Sequence, residues 1–105
     1  ELGTALQYKA FPIILLLNNS SYGTIRMHQE KSYPGRVYGT DIENPDYNMI
    51  AKAYGIPSYK VSKTEEFQQY FDKAIKSEKG ALIEIILDIQ SISPYKTLNE
   101  IKKKT

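Results

Sequence analysis

The run Asn18-Asn19-Ser20-Ser21-Tyr22-Gly23-Thr24 holds the side chains best placed by type and spacing to grip a charged ligand. Asparagine amide oxygens and backbone carbonyls are hard, neutral donors that suit magnesium or calcium. A helix opening just after this run presents free backbone amides, and such amides hold phosphate oxygens. Together these donors fit a diphosphate carried with a divalent cation. The same residues also fit an ordinary strand-to-helix turn, because Asn and Ser readily bond their own backbone. Residue type leaves both readings open.

Other reactive side chains are few. With no cysteine among the 105 residues, disulfide scaffolds, thiolate zinc sites and cysteine nucleophiles are excluded. His28 is the single histidine, which excludes histidine clusters, and its position on a helix fits an exposed side chain. Arg26 and Arg36 can each meet a carboxylate or phosphate bidentately, or stand as solvated charges. Of nine tyrosines, Tyr54, Tyr59 and Tyr70 fall at core-facing positions, while Tyr33 and Tyr38 lie in a loop that could cover a ligand. Fourteen basic and twelve acidic residues give a net charge of +2, and the lysines do not cluster with the aromatics. Nucleic-acid binding is therefore not expected.

The elements that position the run follow from periodicity. Glu1–Ala10 reads as a helix already under way, with Leu2, Ala5, Leu6 and Lys9 on one face. Ile13–Leu17 is a short continuous apolar run, as in a parallel strand buried on both faces. A helix is predicted over Tyr22–Gln29 with Ile25 toward the core, then an aperiodic loop over Glu30–Glu43. Asn44-Pro45-Asp46 reads as a helix start, with Asn44 as cap and Met49, Ile50, Ala53 and Tyr54 inward, closed by Gly55. Ser58–Val61 is a strand. Ser62 or Thr64 then caps a helix whose Phe67, Tyr70, Phe71, Ala74 and Ile75 recur at helical spacing. Ala81–Leu87 is a second strongly apolar strand, and a last weak helix ends in Lys102-Lys103-Lys104. This alternation predicts an α/β fold, a three-layer parallel sheet with helices on both faces, in which Ile13–Leu17 and Ala81–Leu87 lie centrally.

The stretch from Pro12 to Gln29 resembles the second half of the thiamine diphosphate motif of the acetolactate synthase and benzoylformate decarboxylase group. Further matches are Tyr33-Pro34-Gly35-Arg36, Gly39-Thr40-Asp41, Asn44-Pro45-Asp46 and Ala51-Lys52-Ala53-Tyr54-Gly55. Glu1-Leu2-Gly3-Thr4-Ala5 is similar to the helix that precedes the Asn-Asn strand in that family. The resemblance implies that residues 1–105 form the C-terminal portion of a thiamine diphosphate-binding domain. It implies that Asn19 binds magnesium through its side-chain oxygen and Ser21 through its backbone carbonyl, with Tyr22, Gly23 and Thr24 along the diphosphate. The family's Gly-Asp-Gly turn, which supplies an aspartate to magnesium, does not occur in this sequence. The family's glutamate that activates the aminopyrimidine ring comes from a separate domain, usually on another subunit, and no glutamate here can be assigned to it.

The implied protein is a thiamine diphosphate- and magnesium-dependent enzyme acting on 2-oxo acids, incomplete in this chain and not expected to catalyse alone. The unpaired side of the Ile13–Leu17 strand implies a second chain covering it, and so a homo-oligomer. With no leader pattern and no apolar run long enough to span a bilayer, a cytoplasmic protein without membrane contact is expected. The competing reading is a non-catalytic α/β interaction module that binds no cofactor.

Overall fold

The computed structural model describes residues 1–103; Lys104, the last of the predicted lysine run, lies outside them. The elements in order are α1 (Leu2–Gln7), β1 (Ile13–Asn18), α2 (Gly23–Ser32), α3 (Tyr47–Ala53), β2 (Ser58–Val61), α4 (Thr64–Lys76), β3 (Ala81–Ile86) and α5 (Leu98–Lys102). The parallel sheet is open and has the order β1-β3-β2, with Ser58 opposite Leu82 and Val61 opposite Ile85. No helix among the described residues is long and apolar enough to cross a membrane. The chain divides into two compact units, residues 1–17 with 45–86 and residues 18–44 with those from 87 onward.

The first unit holds the hydrophobic core, and β3 is its centre. Successive side chains of a strand point to opposite faces, so Ala81 and Ile83 pack with Val61 and Ala74 of α4, ringed by Tyr59, Phe67, Tyr70, Phe71 and Ile85. Leu82 faces the other way, onto Ala51 of α3, Ile56, Leu2, Ile14 and Tyr47. Helices thus cover both faces, as the alternation of elements predicts. Tyr59 stacks on Tyr70 at 5.0 Å between ring centroids, and Phe67 on Phe71 at 5.4 Å, tying β2 and α4 together. Gly80 joins α4 to β3 at φ 67°, and a β-carbon there would lie 2.8 Å from the Phe11 carbonyl carbon. No other residue fits that turn without moving the backbone before β1.

Five expectations are corrected within this unit. Among the described residues β1 is an outer strand, not a central one, and its Ile13, Leu15 and Leu17 are exposed while Ile14 and Leu16 are half-buried. An apolar run signals a strand, but its rank depends on which strands pair, and β3 takes the middle. The cap of α3 is Asp46, whose carboxylate accepts from the Met49 amide at 3.0 Å, not Asn44. With that start, Ala51 is the buried residue of α3, while Met49 and Ile50 are exposed. At α4 neither Ser62 nor Thr64 caps: Lys63 holds that position, and its amide donates to Glu66 Oε1 at 3.0 Å. Ile75 points outward at the end of a face that is otherwise as predicted.

The second unit is more polar. α2 runs to Ser32, three residues beyond its expected end, so the following loop is shorter than predicted. Its one buried residue is Glu30, and Ile25, expected in the core, is 55% exposed. The apolar partners of this unit come instead from α5, whose Leu98 and Ile101 are buried. Thr97 caps α5 by accepting from the Glu100 amide at 3.3 Å, while Glu100 accepts in return from the Thr97 amide.

Candidate cofactor site

The turn after β1 is built from side chains bonding to their own backbone. Asn18 Oδ1 accepts from the Ser20 amide at 2.9 Å, and Asn19 Oδ1 from the Ser21 amide at 3.1 Å. Ser20 sits at φ 57°, a left-handed conformation that costs a serine about 1 kcal/mol and reverses the chain toward α2. The turn is held from behind by residues 40–44. Ser21 and Asp41 form an antiparallel bridge, the Tyr22 amide and Ser21 Oγ both donate to the Thr40 carbonyl at 2.8 and 3.0 Å, and the Ile42 amide donates to Ser20 O at 3.0 Å. Asn44 Nδ2 reaches Asn18 Oδ1 at 2.9 Å.

The start of α2 is open. Its N-cap residue, Tyr22, offers no capping side chain, and the first amide inside the helix with a backbone acceptor is Arg26, which donates to Tyr22 O at 3.0 Å. The amides of Gly23, Thr24 and Ile25 therefore have no acceptor among the described residues, the usual orphan donors of a helix start. A β-carbon on Gly23 would lie 2.8 Å from Asn19 Nδ2, so the missing side chain lets Asn19 lie against the helix start. Three free amides, the positive end of the helix dipole and a neighbouring amide oxygen suit an anion bound together with a cation.

The five residues named from sequence are thus contiguous in space. Asn19 and Ser21 are half-buried in the turn, Tyr22 is 55% exposed, and Gly23 and Thr24 form the first turn of α2. Asn19 Oδ1 keeps a second lone pair beyond its bond to the Ser21 amide, and the Ser21 carbonyl receives no backbone bond from the described residues. These two oxygens fit a hard cation, and the amides fit phosphate. No group of three His, Cys, Asp or Glu side chains able to hold a metal occurs among the described residues.

Sequence reasoning assigned no role to the residues that brace the turn. Thr40, 1% exposed, supplies the carbonyl that anchors both Ser21 and Tyr22, and its own Oγ1 is buried without a hydrogen-bond partner among the described residues. Gly39-Thr40-Asp41 stood out only as a motif, and no local pattern joins it to a turn nineteen residues earlier. Arg26 lies behind the helix start with Nη1 4.0 Å from Asp41 and a buried Nε lacking a hydrogen-bond partner. Arg36 stands apart, beside Gln29 and Tyr33 in a shallow depression. His28 is exposed.

A parallel α/β sheet with an open helix start beyond a strand's carboxyl end defines a class of proteins that gather ligands there. Comparison narrows the class: residues 1–85 match the thiamine pyrophosphate enzyme, C-terminal TPP binding domain, and the chain belongs to that family. It is 37% identical over 92 residues to an acetolactate synthase large subunit of Buchnera aphidicola, covering 86% of this chain and 16% of the relative. It is 37% identical over 91 residues to a 3D-(3,5/4)-trihydroxycyclohexane-1,2-dione hydrolase of Halalkalibacterium halodurans, covering 81% and 14%. Similarity to acetolactate synthase isozyme 2 large subunit of Escherichia coli is 30% over 90 residues, covering 84% and 16%. The chain thus spans about one sixth of the length of these relatives.

Proposed function

We propose that this chain holds the diphosphate and metal of a thiamine diphosphate- and magnesium-dependent enzyme acting on 2-oxo acids. Asn19 Oδ1 and the Ser21 carbonyl are the metal ligands, and Tyr22, Gly23 and Thr24 lie along the diphosphate. The observation that carries this reading is the uncapped start of α2, with three free amides beside the Asn19 side chain. Relatives named acetolactate synthase favour 2-oxo acids as the substrate class. When bound, the cofactor supplies the nucleophilic carbon and the electron sink that 2-oxo acid decarboxylation requires.

This chain's own contribution is binding and orientation. The amides hold phosphate oxygens by charge-assisted hydrogen bonds, and the left-handed Ser20 reverses the chain between Asn19 and Ser21, the two residues assigned to the metal. The remaining metal ligands and the ring-activating glutamate are assigned to other segments or a second chain, so the chain alone is not catalytic. The exposed side chains of β1 support coverage by a second copy in a homo-oligomer.

Calorimetric titration of thiamine diphosphate, with and without magnesium, tests the reading. Magnesium-dependent binding that Asn19→Ala weakens at least about tenfold is expected from the loss of one metal ligand. Binding indifferent to magnesium and to Asn19→Ala would overturn the assigned ligands and favour an interaction module.

A further inference from the structure

α2 has little to hold it. Its only buried residue is Glu30, 1% exposed, and Ile25 faces solvent. Among the described residues Glu30 Oε2 has no hydrogen-bond partner, and its counter-charge is Lys102 Nζ of α5 at 3.5 Å. The segment that brings Lys102 there follows α2 from its first residue. The Leu87 amide donates to Asn18 O at 2.8 Å, at the turn itself. Ile92 Cγ1 lies 3.9 Å from where a Gly23 β-carbon would stand. Gln90 closes the segment into a loop, its carbonyl accepting from the Leu98 amide at 3.2 Å and its Oε1 from the Asn99 amide at 2.9 Å. Leu98 and Ile101 are then buried, and Lys102 reaches the carboxylate. The family match ends at residue 85, before this segment begins.

We propose that Glu30 and Lys102 are positioning residues whose ion pair locks the segment from Leu87 to Lys102 onto α2, fixing where the amides of Gly23, Thr24 and Ile25 point. Apolar contacts from Leu98 and Ile101 alone permit α5 to slide or roll, since they are not directional. A buried carboxylate meeting one ammonium selects a single register, because every other placement leaves the charge uncompensated. The lock is a property of residues 18–44 and 87–103. Its consequence for the cofactor rests on the proposed diphosphate site.

The test is amide hydrogen exchange on the full chain, paired with titration of magnesium pyrophosphate, for wild type, Lys102→Met, Lys102→Arg and the double variant Glu30→Gln/Lys102→Met. In Lys102→Met, exchange at Arg26–Tyr33 should rise at least about tenfold while the amides of β3 stay unchanged, the signature of local opening. Pyrophosphate affinity should fall about tenfold, and Lys102→Arg should restore both readouts, since it returns a cation to the carboxylate. The double variant removes both charges, so it should recover folding and part of the protection even if Lys102→Met does not fold. Unchanged exchange in α2, or an equal rise in β3, would overturn the lock. A wild type that binds neither magnesium pyrophosphate nor thiamine diphosphate overturns the cofactor reading, and the exchange comparison still decides the lock.

Discussion

Asn19 Nδ2 fills the space that a β-carbon on Gly23 would need, at 2.8 Å, so the strand-end turn and the helix start share one volume. In Gly23→Ala the asparagine side chain must move, and it can, because it is the end of a short flexible group. Alanine is the better helix former by up to about 1 kcal/mol, so the urea midpoint should hold or rise. Affinity for thiamine diphosphate with magnesium should fall by about tenfold, or about 1.4 kcal/mol. Parallel denaturation and titration would separate the two effects. A variant that loses both together would mean the glycine serves folding only.

The approach of Gly80 to the backbone before β1 predicts the opposite balance. Gly80→Ala combines a left-handed backbone with a clash against Pro12 and Phe11. It should cost about 2–4 kcal/mol, read as a lower urea midpoint with an unchanged slope.

Beneath α3, Glu84 is 5% exposed in the central strand and accepts from Asn48 Nδ2 at 3.0 Å. Asn48→Ala should destabilise the chain by about 1–3 kcal/mol, as expected for a lost buried bond. Asn48→Asp should cost more, since it turns a donor into a second carboxylate against Glu84. Thermal or urea unfolding of the two variants checks that order.

The outward row Ile13, Leu15 and Leu17 on β1 is exposed, and the proposed homo-oligomer would cover it. Leu15→Lys should shift sedimentation toward monomer, because a charge on an edge strand opposes further pairing. With Leu15 already 46% exposed, thermal stability should change by no more than about 1 kcal/mol. A wild type that stays monomeric at high concentration would refute the self-association.

The legible parts of this chain were those whose signal is local. Strand Ser58–Val61 is legible to the residue and the start of α4 to within one, because Phe67, Tyr70, Phe71 and Ala74 repeat at helical spacing, whereas α4 stops at Lys76, short of Gly80, which the sequence reading takes as its close. Helix α3, with seven residues and apolar side chains around most of its girth, offered no unique stripe, and its buried residue was misplaced. The rank of β1 was illegible for another reason: Ile13–Leu17 is equally apolar in a central or an outer strand, and only pairing decides. In the candidate site, that Asn19 through Thr24 form one strand-to-helix turn is legible because they are contiguous, whereas their roles come from the resemblance and await the titrations above. The contacts of Thr40 with Ser21 and of Lys102 with Glu30 are not legible, since each joins residues far apart in the chain.

The strand order β1-β3-β2 also dictates when the sheet can exist. β1 and β2 never pair with each other, and each waits for β3, which begins at Ala81. Both pairings within this sheet are therefore parallel and non-local, and each closes only after the intervening helices have been accommodated. Such pairings form more slowly than hairpins, because loop-closure entropy is lost before the contacts are gained. Formation of this sheet should accordingly be a late and slow event in refolding, following helix α4 rather than preceding it.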